Sequence, residues 1–423
     1  MKKPEINALI TTMFLVSLAF IPAASAQEEN NYNVPVEKAF EHANVRMVAF
    51  IATANDSEKW GGASIDPKPL ELYDINGQRL YYEFSVYKKN TMISRIDIGA
   101  NKTLGSSLRR IEIDPKTFNA AEAMSKSIET AKNNYPTGEI KSTMMVVYNY
   151  PEIGAMTVVK DKTTGVEHRI FVDAYTLDVI PDKHATETGP GVWSMYEQVS
   201  KNKIDENLKD WQSSEQLTKT LEQQANNMGI NINLPATEED IKKLSNKLSA
   251  SSKVISSPYN SKVISPATDY TSEQRVLYVP LYYQTKAYYC IPATAQMIAA
   301  WWGYSYTQDY IYQKMGGTNG NTTGIDPQHA LAWYQLSRSN GGLGATRSYL
   351  SSDRTIIKAK SELDLGRSFD SLTLYHSRAC AGYWVFYNGG QDCLYINDPA
   401  SSGSQYWEAL SGSPEIQRIY VDF

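Results

Sequence analysis

The chain has 423 residues, a formal net charge of −5, 42% hydrophobic residues and three cysteines. Such a length allows two or three domains of ~100–200 residues each, and an acidic balance without a basic cluster argues against a nucleic-acid surface. The cysteines, Cys290, Cys380 and Cys393, all lie in the last third; they are too few for a disulfide scaffold, and their odd number leaves a free thiol.

The first 26 residues read as an export signal, with Lys2 and Lys3, an apolar stretch from about Ala8 to Ala23, and Ala24-Ser25-Ala26 before an expected mature start at Gln27. The apolar stretch is short and poorly flanked for a membrane span, with an uncleaved anchor as the alternative. The expected location is outside the cell or on its surface, with no membrane partner beyond the signal.

Residues 27–190 read as an α+β module. Phe40, Ala43, Val48 and Ile51 recur at helical spacing over Val36 to Thr53, and Ala120 to Asn133 is a second predicted helix. Leu70 to Val86 reads as a hairpin around Asn76-Gly77, with further strands at Met144–Tyr148, Met156–Val159 and Arg169–Val172. The histidines His42, His168 and His184 have no ligand-like spacing.

Residues 191–249 are polar with helical period, and Trp193, Tyr196, Val199, Leu208, Trp211, Leu217 and Leu221 form one apolar stripe suited to a packing spacer. Residues 250–269, rich in Ser and interrupted by Pro258 and Pro266, read as a linker and the expected processing region.

Residues 270–423 carry the chemistry. Cys290 opens a predicted helix in which Pro292 suits the first turn and Ala293, Met297, Ile298 and Trp301 line one face. The amide groups and positive end of a helix favour a thiolate, so a nucleophilic cysteine belongs there. Gln284, six residues upstream, carries a side-chain amide able to donate to an oxyanion. A Gly/Asn-rich loop at 316–324 leads to a helix near Pro327 to Ser337. Strands follow at Ser371–Phe386 and Cys393–Pro399, joined by a turn at Asn388-Gly-Gly390, and helices before a sheet give an α+β class. A two-residue turn at Gly389-Gly390 would set Cys393 opposite Phe386 and Cys380 opposite Pro399, which disfavours a disulfide between them.

A thiol nucleophile needs an imidazole and a group that orients it. Of the two histidines in this segment, His329 sits on a helix and suits a surface role, whereas His376 begins an apolar strand and is the better base. On the next strand Asp398 is placed to hold the ring; Asn397, pointing to the opposite face, is the weaker alternative.

The pattern Val-Pro-x-x-x-Gln-x5-Cys-x-Pro-Ala, then His-x5-Gly-Tyr, then Asn-Asp-Pro resembles the papain-like cysteine peptidases of the bacteriocin leader-processing (double-glycine) branch. The resemblance implies a Cys-His-Asp triad of Cys290, His376 and Asp398, an oxyanion donor at Gln284, peptide or protein substrates, and no metal or cofactor. It departs at Ile291, where the family commonly has glycine; the bulk is expected to narrow the cleft or alter the turn. Upstream, Glu167–Ile180 resembles the closing strand of PepSY-type domains, and the hairpin with Tyr81-Tyr-Glu-Phe84 resembles pro-regions of streptopain-type zymogens. These likenesses imply an inhibitory pro-domain. A cell-envelope amidase or transpeptidase on the same scaffold and an inactive surface binding protein are the alternatives.

Overall fold

The computed structural model describes residues 32–53, 60–186, 191–199, 203–231, 237, 239–240, 242–243, 272–318, 323–386, 391–400 and 403–423. The export signal, the 250–269 linker and the Asn388-Gly-Gly390 turn lie outside them, as does part of the 316–324 loop.

The N-terminal module runs α1 (Val36–Thr53), β1 (Ser64–Ile65), β2 (Leu70–Asp74), β3 (Arg79–Lys88), β4 (Thr91–Gly99), β5 (Leu108–Ile113), α2 (Ala120–Asn134), β6 (Glu139–Asn149), β7 (Glu152–Lys160), β8 (Glu167–Asp173) and β9 (Val179–Ile180). Two helices follow, α3 (Met195–Gln198) and α4 (Ile204–Asn227). Local chemistry sets the boundaries: Gly77, at φ 84°, turns the β2–β3 hairpin, and the Asn119 side chain caps α2 by accepting from the Glu122 N–H. The stripe expected of a spacer is packed. Trp193, Trp211 and Leu217 are each 1% exposed, and the Trp211 ring stands 5.4 Å from that of His42 on α1.

The C-terminal part runs β10 (Ser272–Val276), α5 (Cys290–Trp301), α6 (Gln308–Lys314), α7 (Pro327–Gln335), β11 (Tyr349–Ser351), α8 (Ile356–Asp364), β12 (Phe369–Thr373), β13 (His376–Phe386), β14 (Cys393–Asn397), β15 (Gln405–Ala409) and β16 (Glu415–Tyr420). Helix and strand are mixed throughout around a large sheet, compatible with an α+β fold.

Two details differ from the sequence reading. The run Ser371–Phe386 is two strands, because the chain doubles back at Leu374-Tyr375 with Tyr375 at φ 66°, so that Thr373 pairs with His376. The β13–β14 register also differs: Cys393 pairs with Trp384 and Cys380 with Ile396. Asp392 accounts for part of this, since its carboxylate takes the Phe386 N–H and ends the ladder early, and a bulge between Cys380 and Gly382 shifts the rest. All three cysteines are free.

Both parts share one sheet of 16 strands, ordered β11-β16-β12-β13-β14-β15-β5-β4-β3-β2-β6-β7-β8-β9, with β1 on β3 and β10 on β13. The junction is the antiparallel pair β15–β5, with Tyr406 opposite Glu112 and Glu408 opposite Arg110. One face of the C-terminal strands is covered by the N-terminal module: Trp384, Cys393, Trp407 and Ala409 share a core with Met47, Phe50, Trp60, Ile96 and Trp211. Burying a single side chain of this class contributes roughly 1.5–3 kcal/mol, so this contact is a core and not a docking seam. The other face carries α5, whose Ala295, Met297, Ile298 and Ala299 pack with Trp333, Phe369, Ala381 and Tyr383.

Candidate active site

Helix α5 begins at Cys290, which is half-buried at the head of a helix otherwise sunk in the core. The first N–H groups of a helix have no partner within it, so helix geometry leaves the Cys290 amide without an intrahelical acceptor. Tyr288, two residues earlier, is held at φ 68°, in the left-handed region that L residues rarely adopt. Strain of this kind gathers where surrounding structure fixes a functional turn. Ile291 does not occupy a cleft: it is 5% exposed and packs into the core with Val279 and Tyr289.

Gln284 lies on the segment that leads into this turn, and its backbone is fixed from three sides. Its own N–H donates to the Pro399 carbonyl at 2.7 Å. Buried Gln308, on α6, donates to the Tyr283 carbonyl at 2.8 Å and accepts from the Thr285 N–H at 2.9 Å.

The short turn at Leu374-Tyr375 delivers His376 to the first position of β13. Its Nε2 stands 2.8 Å from Asp398 Oδ1, and its side chain is 10% exposed. Cys290 lies close enough to the ring to favour its charged form. Burial works against a charged imidazole here, but the Asp398 carboxylate and the nearby Cys290 outweigh it and raise the pKa from 6.5 to about 10.

Asp398 is fully buried. Besides His376 it accepts from the Tyr406 hydroxyl at 2.8 Å and from the Ala400 N–H at 2.9 Å. Burial alone would raise its pKa; the His376 charge and hydrogen bond, with Arg378 behind them, hold it below the ordinary carboxylate value. Gly403 closes the loop beyond, and any Cβ there would press on the Asp398 carbonyl.

Asn397 faces away from the imidazole. Its Nδ2 donates to the Val279 carbonyl at 2.8 Å, and its Oδ1 accepts from Gln405 at 2.9 Å. His329 is remote in role: its ring pairs with Asp326 at the exposed start of α7. The structure therefore brings Asp398 onto the His376 ring by a hydrogen bond and Cys290 within electrostatic reach of the same ring, and it leaves Asn397 and His329 outside this group.

Two supporting residues escaped the sequence reading. Gln308 gave no signal beyond its place near the start of an amphipathic helix. Tyr406 stood in the run Gln405-Tyr-Trp-Glu-Ala409, whose adjacent aromatics favour a strand but whose order has no strict alternation.

The N-terminal module comes beside Gln284 and His376. Lys116 Nζ lies 3.4 Å from the centroid of the Tyr283 ring, beside Gln284. The Tyr375 ring, next to His376, meets the edge of His184 at 6.0 Å and packs with Leu374 against the core that includes Trp193 and Met195. Among the described residues no group of three or more potential ligands could hold a metal ion, and no helix is long and apolar enough to cross a membrane.

Residues 276–420 match the family described as Peptidase_C39 like, which covers the cysteine, the histidine and the aspartate together. A search of curated proteins gave no match to the chain. The C-terminal part is thus similar to C39-like cysteine peptidases, a class of hydrolases.

Proposed function

We propose that this protein is a cysteine peptidase in which Cys290 is the nucleophile, His376 the general acid and base, Asp398 the group that orients the ring, and Gln284 the oxyanion donor. The observation that carries the reading is the His376–Asp398 pair, Nε2 to Oδ1 at 2.8 Å, with Cys290 at the head of α5 acting electrostatically on the same ring. In the proposed reaction Cys290 Sγ attacks the substrate carbonyl carbon, and the new oxyanion is met by the Gln284 amide and the Cys290 N–H. The tetrahedral adduct collapses with transfer of the His376 proton to the leaving amine, giving an acyl-enzyme. Water, deprotonated by His376, then releases the acid and restores the thiol.

The reading extends to the rest of the chain. Residues 1–26 direct export, and the N-terminal module restrains the cleft in a precursor as its intramolecular inhibitor. A cut in the 250–269 region ends that restraint. Lys116 against Tyr283 and the hold on Tyr375 support this, since both reach residues beside Gln284 and His376.

The test is active-site labelling with a thiol-directed peptide probe, together with hydrolysis of unstructured polypeptide. Stoichiometric labelling at Cys290 and release of new amino termini are expected. Labelling absent in wild type, or hydrolysis undiminished in Cys290→Ala, rejects the assignment.

A further inference from the structure

A removable pro-region is expected to sit on a finished catalytic domain. Here the domain is not finished without the module. Asp398 Oδ2 accepts from the Tyr406 hydroxyl at 2.8 Å, and that hydroxyl accepts from Arg378 Nη1 at 3.0 Å. Arg378 in turn forks onto Glu408, at 2.9 and 3.1 Å. The last member comes from the N-terminal module: the Tyr150 hydroxyl donates to Glu408 Oε1 at 2.6 Å. Tyr150, Arg378, Glu408, Tyr406 and Asp398 are each at most 4% exposed, so no water competes for these positions.

A second route runs beside the first. Ser404, whose carbonyl accepts from the Asp398 N–H at 3.0 Å, donates its hydroxyl to Glu112 on β5 at 2.5 Å. The Arg110 guanidinium, on the same strand, lies over the Tyr406 ring at 5.5 Å. Together with the β5–β15 ladder, these contacts make the module a wall of the carboxylate's pocket.

We infer that the N-terminal module stays bound in the working enzyme and that Tyr150 is a positioning residue, supporting Asp398 through Glu408, Arg378 and Tyr406. This rests on the peptidase reading for its catalytic part. Cleavage of the linker relaxes the contacts at Lys116 and Tyr375 while the shared sheet persists. The partner of the processed catalytic chain is its own severed N-terminal chain.

The full-length protein is nicked by brief trypsin treatment at Lys253 or Lys262 and passed over a sizing column without denaturant. Both pieces eluting as one particle, and separating only in denaturant, is the expected result. A C-terminal piece that elutes alone and folded overturns retention of the module. Tyr150→Phe is then compared with wild type per titratable Cys290 thiol. Loss of one hydrogen bond in the relay predicts a fall in kcat of about three- to ten-fold with KM little changed. Unchanged kcat per thiol, or activity lost only in step with titratable thiol, overturns the positioning role. A wild-type protein with a titratable thiol and no hydrolysis of any peptide defeats the peptidase reading, and with it the positioning role, while co-elution still decides retention.

Discussion

The Gln284 N–H donates to the Pro399 carbonyl at 2.7 Å, which joins the segment before the cysteine to the loop after Asp398. Two segments more than a hundred positions apart are thereby joined, and under the proposed function the Gln284 side chain donates to the oxyanion. Gln284→Ala is expected to slow acylation by ~10²–10³-fold, the usual scale for one oxyanion donor. His329→Ala is expected to leave single-turnover rates unchanged. If the order is reversed, the roles have been assigned to the wrong residues.

Thiol chemistry should separate the three cysteines. Cys380 is fully buried, and burial pushes its thiol up to about 12; burial raises Cys393 further. At neutral pH an alkylating probe is expected to modify one equivalent, at Cys290, and three after denaturation. Mass spectrometry of the native protein would show a second modified cysteine if the packing around β13 and β14 were open.

Neighbouring residues Asn397 and Asp398 are expected to fail differently. Asn397→Ala removes a buried amide that holds the Val279 and Gln405 segments, costing about 1–3 kcal/mol of stability. Asp398→Asn keeps the shape and loses the charge that steadies the imidazolium, so kcat is expected to fall by orders of magnitude with a smaller change in melting temperature. Equal kcat losses per folded molecule in the two variants would contradict the division of labour.

Stability should depend on pH through the same pair. The folded state keeps the His376 proton to a pKa of about 10, against 6.5 for an ordinary histidine. Its contribution is therefore complete below about 6.5 and is lost as pH rises toward 10. For Asp398, whose folded pKa lies below 3.8, the contribution is present above that value and is lost as pH falls through the depressed one. Thermal unfolding is expected to show a steeper decline from neutral to alkaline pH in wild type than in His376→Gln. Parallel profiles would mean that the ion pair does not form.

Lys116→Ala tests restraint of the cleft. A cation over an aromatic ring contributes about 0.5–1 kcal/mol at exposed sites, so freeing Tyr283 should raise kcat/KM of the uncut protein by about two- to five-fold. A decrease would mark Lys116 as a substrate contact instead.

Local signals were readable where they were dense. The period over Val36–Thr53, the Asn76-Gly77 turn and the Gln-x5-Cys run each carry their meaning within a few residues, and the structure has a helix, a hairpin and a helix start at those places. Tyr375 hid the fold-back before His376, because a tyrosine in the left-handed region has no propensity signal. Arg378 with Glu408 and Tyr150 were unreadable for another reason: their pairing follows from strand order, and a charge on a strand reads as an exposed position until its partner across the sheet is known. The apolar stripe on 191–249 was visible, but nothing in it says that Trp193 and Tyr196 pack on the strands while Trp211 and Leu221 pack on α1.

The β5–β15 junction also fixes when the site can exist. Glu112 and Ser404 are 292 positions apart in the chain, and contacts of that span form late and slowly. A nascent polypeptide that has not yet released Tyr406 and Glu408 already contains Cys290, His376 and Asp398, yet lacks the Tyr406 hydroxyl on Asp398 and the Arg378–Glu408 pair behind it. Under the proposed function the chain therefore carries its nucleophilic thiol before the support of its carboxylate is complete, and topology sets that order.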